Sequence, residues 1–197
     1  MTAPPRIVLA STSRYRAQLL RRLLDEIGCV APGVTETQRA GEAPADRAAR
    51  LATEKARAVA AKTREALVIG SDQVADLDGA ILDKPGDAAT ARAQLAASSG
   101  RCVHFHTAVC VIDTRGGAAI EHAFLDRTDV HFRTLDADTI ARYVKREQPL
   151  DCAGSFKCEG LGISLFERID SVDPTALIGL PLIALARVLR ECGVPLP

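Results

Sequence analysis

The sequence contains no tryptophan and only seven aromatic residues, two Tyr and five Phe, among 197. That is too few for the stacking platform that grips single-stranded nucleic acid. Neither sign of charge is in excess, with 25 Lys and Arg against 25 Asp and Glu. This balance argues against a protein that holds DNA or RNA by bulk electrostatics. No apolar run approaches the length of a membrane span, and the stretch from Thr175 to Leu189 is broken by Gly179, Pro181 and Arg187. The apolar run Ile7–Ala10 is short and followed by Ser and Thr, so no secretory leader is expected. The six cysteines, Cys29, Cys102, Cys110, Cys152, Cys158 and Cys192, form no C-x-x-C pair. Reduced thiols and a cytoplasmic chain are the expectation. What is present is a 47% hydrophobic content, enough for a sizeable core. The length suits one domain, or one domain folded as two lobes around a cleft.

Apolar strands alternate with helical patterns, which indicates an α/β fold. Strands are expected at Ile7–Ala10, Ala66–Ile69, around Cys102–Asp113 and at Ala119–Phe132. Between them the spacing predicts helices from Arg14 to Gly28, from an Asp46 N-cap to about Lys62, over Ala88–Ala97 and over Asp136–Lys145. A last helix lies within Pro174–Cys192, begun or interrupted near Pro181. Asp78-Gly79 suits a tight hairpin turn, which leaves Asp76 and Asp78 structural. No repeat, low-complexity tract or linker divides the chain.

Several places carry chemistry. Leu9-Ala10-Ser11-Thr12-Ser13-Arg14-Tyr15-Arg16 ends a strand in small hydroxyl residues and opens a helix, an arrangement that presents N–H donors and arginines to phosphate. It serves equally as an ordinary Ser N-cap with solvated arginines, and both readings stay open on the residues alone. Gly70-Ser71-Asp72-Gln73 follows the strand Leu67–Ile69, and a carboxylate at a strand's carboxyl end can hold a divalent cation or take a proton from water. Lys55 stands four residues from both Leu51 and Val59, on the apolar face of its helix, so it either snorkels to solvent or points into a polar site. Lys84, in Asp83-Lys84-Pro85-Gly86, and Lys55 would suit polyphosphate; Glu36 is a second candidate metal carboxylate. His104 and His106 alternate like a metal pair, but no third ligand has a defensible spacing, and they are set aside. Cys158 beside Lys157 is a weak candidate for an activated thiol. The segment Asp151–Ile163 holds three glycines, as a backbone shaped around a ligand or packed closely against another element does, with Glu159 as its notable side chain.

Taken together and in order, these sites resemble a known family. Leu9-Ala-Ser-Thr-Ser-x-x-Arg16, Glu36-Thr37, Glu54-Lys55-Ala56, Ile69-Gly-Ser-Asp72-Gln73, Lys84-Pro85, Ala153-Gly154-Ser155-Phe156 and the tail Gly179-Leu180-Pro181-Leu182 match the Maf family of nucleotide pyrophosphatases. Within it the chain looks most like the YceF branch, which hydrolyses 7-methyl-GTP. The dTTP/UTP branch typically has Gly-Ala-Asp-Thr for Gly70–Gln73, Gln for Glu159 and Arg near Tyr15. Two positions depart from the YceF pattern: Arg14, where Pro is usual, and Asp83, where Gly usually precedes Lys-Pro.

The resemblance implies an α/β fold like that of inosine-triphosphate pyrophosphatases, a long mixed sheet with flanking helices and a cleft between two lobes, often dimeric. It implies a divalent cation, Mg²⁺, Mn²⁺ or Co²⁺, held by Glu36 and Asp72, with Asp72 as general base. Ser11, Arg16, Lys55 and Lys84 would bind the triphosphate, and Tyr15, Gln73 and Glu159 would choose the base. The expected partner is a modified nucleoside triphosphate, with no nucleic acid polymer and no membrane. A UTP/dTTP pyrophosphatase and a non-catalytic nucleotide-binding regulator of cell division are the alternatives.

Overall fold

The structure, a computed structural model, describes residues 5–197; the residues Met1–Pro4, on which the reading of the N-terminus partly rests, lie outside them. Seven strands form one mixed sheet: β1 (Arg6–Ala10), β2 (Gly28–Cys29), β3 (Ala66–Leu77), β4 (Ala80–Ile81), β5 (Cys102–Asp113), β6 (Ile120–Phe132) and β7 (Phe166–Asp170). Their order is β2-β1-β3-β5-β6-β7, with β4 paired to β3. The helices are α1 (Arg14–Leu20), α2 (Pro44–Ala60), α3 (Ala88–Ser98), α4 (Ala137–Glu147) and α5 (Leu182–Glu191). Among the described residues no helix is long and apolar enough to cross a membrane. The chain divides into two compact units, residues 1–72, 107–126 and 173–197, and residues 73–106 and 127–172.

In the first unit β1 runs parallel to β3, and Ala10 at the end of β1 is opposite Gly70. Ile7, Leu9, Leu67, Ile69, Val109 and Val111 on one sheet face pack with Leu19 and Leu20 of α1 and Leu182, Leu185 and Leu189 of α5. Val8, Val68 and Val59 pack on the other face, where α2 lies. This two-sided burial is why the strands read as continuous apolar runs. In the second unit Phe105, Phe132, Phe156 and Phe166 meet edge to face, with ring centroids 4.7 to 5.6 Å apart. Most of the chain's few aromatic rings are spent on this one cluster.

Three sequence expectations need correction. The first helix stops at Leu20 rather than Gly28; residues 21–24 tighten into turns, with Leu23 N–H donating to the Leu20 carbonyl. Gly28–Cys29 then joins the sheet edge beside Val8 and Leu9. The second helix is capped at Ala43 without a side-chain bond, Pro44 occupies its first turn, and Asp46 sits inside that turn, where its charge faces the positive helix end. The strand after Ala66 does not end at Ile69 but runs on to Leu77. The hairpin is as read: Asp78 and Gly79 both have positive φ (51° and 86°), and Gly79 N–H donates to Asp76 Oδ1 at 2.6 Å.

Candidate functional site

Because β1 stops opposite Gly70 while β3 continues, Ser71 and Asp72 stand just past the carboxyl end of their parallel neighbour. Asp72 is therefore a mid-strand residue placed where ligands collect in α/β sheets. Its side chain is buried, and Oδ1 accepts from Lys55 Nζ at 2.6 Å. The same ammonium lies 2.6 Å from Glu36 Oε1. Lys55 does not snorkel: it is 5% exposed and bridges two carboxylates. Gly70 allows this. A Cβ there would lie 2.3 Å from the Ala52 carbonyl oxygen and 2.6 Å from the Ala56 nitrogen, so only a glycine lets α2 approach β3 closely enough.

Arg16 completes the cluster. Burial pulls its guanidinium below the ordinary value, while Asp72 and Glu36 pull it back up. Its Nε donates to the Gly179 carbonyl at 2.9 Å, and Ser71 Oγ donates to the same oxygen at 3.0 Å. The turn bearing that carbonyl is held by Asp173, whose Oδ2 accepts from Ile183 N–H at 2.6 Å and whose Oδ1 accepts from Thr175 Oγ1 at 2.6 Å. Ser11 is buried and accepts from Ser13 N–H at 3.1 Å, and Ser13 caps α1 through Arg16 N–H. Tyr15 carries an occupant on its ring: the Arg14 guanidinium lies 4.8 Å from the centroid and also donates to the Tyr15 hydroxyl at 2.8 Å. Arg14 is the residue that departs from the YceF pattern.

Sequence reading missed the residues that fix Glu36. Arg47, buried on α2, donates to the Glu36 carbonyl at 3.3 Å. Arg50 donates to the Thr37 carbonyl at 3.2 Å and to both Glu42 oxygens at 2.5 and 2.7 Å. The Arg50 hydrogen bond holds the Glu42 carboxyl down at about 2, from an ordinary 4.5. A carboxyl whose folded value is depressed contributes its stability fully above the unfolded value and loses it as pH falls toward the folded one. The stability gap between wild type and Glu42→Gln should therefore be full at neutral pH, begin to shrink below about 4.5 and close near 2. Denaturant titrations across that range read it directly. A gap independent of pH would assign the effect to packing instead.

The second unit carries the remaining candidates. Gln73 is half-buried on β3, and Lys84 and Glu159 are exposed. The loop of Lys84 is tied down by Gln94, whose Nε2 donates to the Asp83 carbonyl at 2.9 Å and whose Oε1 accepts from Ser155 Oγ at 2.5 Å. The Asp83 carbonyl is a backbone group, so this tie does not depend on which residue precedes Lys84. Glu159 accepts from Cys158 Sγ at 3.5 Å. The glycines near it serve close packing: a Cβ on Gly162 would lie 2.3 Å from the Lys157 carbonyl oxygen, and one on Gly154 would lie 2.9 Å from Phe105. Cys158 is no activated thiol, since burial and then Glu159 push it up to about 12. His104 and His106 do not act as a pair; His106 faces Asp76 at 3.6 Å, while His104 sits with Asp129 at 2.8 Å.

A family model described as "Maf: Maf-like protein" matches residues 6–192. The chain belongs to the Maf family. A relative from Xanthomonas oryzae pv. oryzae (strain MAFF 311018), named 7-methyl-GTP pyrophosphatase, is 60% identical over 98% of this chain and all of its own length. One of the same name from Burkholderia pseudomallei (strain 1710b) is 53% identical over 98% of this chain and 91% of its own. Among solved structures, the Ham1 protein of Staphylococcus aureus aligns at 15% identity with a TM-score of 0.45, over 64% of this chain and 71% of that one, too slight a likeness to carry an argument. The match thus runs through every segment discussed above, from β1 to α5 of this Maf chain.

Proposed function

We propose that this Maf protein hydrolyses 7-methyl-GTP to 7-methyl-GMP and pyrophosphate. The chemistry rests on one observation, the buried Lys55 ammonium 2.6 Å from both Glu36 and Asp72; the substrate rests on the relatives that bear the name 7-methyl-GTP pyrophosphatase. Two carboxylates gathered around one cation form an oxygen-only donor set, which fits a hard divalent ion such as Mg²⁺ or Mn²⁺, with Co²⁺ also compatible. Glu36 and Asp72 would hold it, and when bound it would neutralise phosphate charge and acidify a water.

The residues divide the remaining work. Ser11, Arg16, Lys55 and Lys84 bind the triphosphate, the arginine as a fork and the lysines as compact charges. Phosphate oxygens compete with Asp72 for the Lys55 ammonium, and drawing it away bares the oxygen that takes the proton. Asp72 then accepts the proton of the water that attacks the α-phosphorus, and pyrophosphate leaves. Displacement in line needs positioning and charge stabilisation, with no nucleophilic side chain. Glu159 accepts from the N1–H and N2–H₂ of guanine, Gln73 serves base or ribose, and Tyr15 meets the cationic methylated ring. Arg14 must give up the Tyr15 face for that stacking, or leave it the opposite one. The 197 residues act as one Maf-type domain, in the cytoplasm and as a homodimer, on a nucleotide and not on a nucleic acid polymer or a membrane.

The test is pyrophosphate release from 7-methyl-GTP, GTP, UTP and dTTP in parallel, with Mg²⁺ or Mn²⁺ and an EDTA control. 7-Methyl-GTP should be preferred. Glu159→Gln should lower kcat/KM for 7-methyl-GTP by about 10- to 100-fold, the worth of a charge-assisted hydrogen bond, and leave UTP nearly unchanged. Equal losses on both substrates would remove Glu159 from base recognition, and a preference for UTP or dTTP would overturn the substrate.

A further inference from the structure

Two neighbouring strands of the second unit bring together a thiol, two imidazoles and a carboxylate that the proposed reaction does not use. Cys102 and His104 alternate on β5, and Asp129 and His131 on β6. Cys102 Sγ lies 3.8 Å from His104 Nδ1 and 3.8 Å from His131 Nε2. His104 Nδ1 is 2.8 Å from Asp129 Oδ1. One donor atom each from Cys102, His104 and Asp129 fall within 4.8 Å of one another. We propose that Cys102, His104 and Asp129 form a binding site for a borderline-soft divalent cation of the zinc class, separate from the Glu36–Asp72 carboxylates.

The geometry of the three donors carries the proposal, and the hydrogen bonds around them agree with it. His104 Nδ1 has a carboxylate oxygen at 2.8 Å, which demands a proton on that nitrogen, and Arg127 Nη2 at 3.0 Å, which demands a lone pair. His131 Nε2 is in the same position, between Asp170 Oδ2 at 2.9 Å and Arg168 Nη2 at 3.2 Å. A single ring nitrogen cannot donate and accept at once, so each imidazole has one contact left unsatisfied. A cation beside the sulfur takes the lone pair of His104 Nδ1, the Cys102 thiolate and the Asp129 carboxylate together, the three donors that lie within 4.8 Å of one another. The spacing suits it: ligand distances of about 2.3 Å to sulfur and 2.0–2.1 Å to nitrogen place tetrahedral S and N atoms about 3.5 Å apart, against 3.8 Å between Cys102 Sγ and His104 Nδ1. Soft thiolate with imidazole selects zinc over magnesium.

The surroundings permit entry. The competing guanidiniums of Arg127 and Arg168 are 53% and 64% exposed and can swing into water. A surface pocket of about 430 Å³ is lined in part by Cys102, His131 and Arg168 and opens the thiol to solvent. Thiolate and carboxylate supply two negative charges for a divalent ion. Burial pushes the Cys102 thiol up from its ordinary value, with Asp129 adding to it, so metal binding displaces a proton.

Cobalt titration of the full, chelator-stripped chain is the decisive experiment. Co²⁺ should produce a thiolate-to-cobalt charge-transfer band with tetrahedral visible bands at one equivalent, and Zn²⁺ should displace it. Cys102→Ser should abolish the band while the other five cysteines remain. His104→Gln should weaken Zn²⁺ by more than about 100-fold, beyond the cost of losing a supporting group. Asp72→Asn should leave the band intact, which separates this site from the proposed catalytic ion. Thermal melts of the stripped variants should match wild type, since the cluster is half-exposed. Absence of the band, its survival in Cys102→Ser, or Zn²⁺ binding only at millimolar metal would overturn the proposal.

Discussion

Asp72→Asn should lower kcat for pyrophosphate release by about 10²- to 10⁴-fold, the usual share of a positioned general base, while binding of metal-free nucleotide holds or tightens. The carboxamide keeps an oxygen for the Lys55 ammonium and nearly the same volume, and Lys55 retains Glu36 at 2.6 Å. The contacts of Lys55 therefore stay assembled. What disappears is the negative charge, one of the two carboxylates proposed to hold the divalent ion, and the ability to accept water's proton. Removing an anion from the site proposed for a triphosphate also relieves repulsion, which is why affinity for nucleotide measured in EDTA should not fall. Equilibrium binding of a nucleotide beside turnover under excess substrate separates the two effects. Turnover within tenfold of wild type would mean that another group takes the proton. Loss of binding in a folded variant would make Asp72 a binding residue first.

How much of this was legible depends on whether a signal is local. Lys55 announced itself by helical spacing between Leu51 and Val59, and the same stripe, extended one step back, reaches Arg47. That arginine was readable and went unread. Arg50 was not, because its partner Glu42 lies in a loop whose path no periodicity describes. Asp72 was found for a partly wrong reason: the apolar run ends at Ile69, yet β3 continues, and it is β1 that stops. Buried polar residues such as Ser71 and Asp72 look like a turn in sequence, whereas in the fold they sit buried within β3, Asp72 beside the Lys55 ammonium. The pairing of Cys102 with His131 and of His104 with Asp129 depends on cross-strand neighbours 29 and 25 residues apart, and strand alternation alone fixes which face a residue shares but not what stands opposite it. The ordered motifs of the Maf family supplied what local patterns lacked, because they reflect the assembled site.

Gly70→Ala tests the same site through packing rather than chemistry, and it should be nearly as damaging. The added methyl meets the Ala52 carbonyl at 2.3 Å and the Ala56 nitrogen at 2.6 Å, both backbone atoms of α2 that no rotamer change can move aside. Either the helix retreats from β3 or the strand bends. Forced overpacking of this kind costs about 1–3 kcal/mol, and more where backbone must yield. Lys55 lies between the two points of collision, so any retreat of α2 draws its ammonium away from Asp72. A displacement of about 1 Å at a reacting centre is enough to cost about a hundredfold in rate. The variant should thus melt several degrees lower and lose at least tenfold in kcat, with both losses present together. Stability lost with full activity would show that α2 pivots about Lys55 rather than retreating. Stability and activity both kept would mean that this close approach is not what seats the lysine.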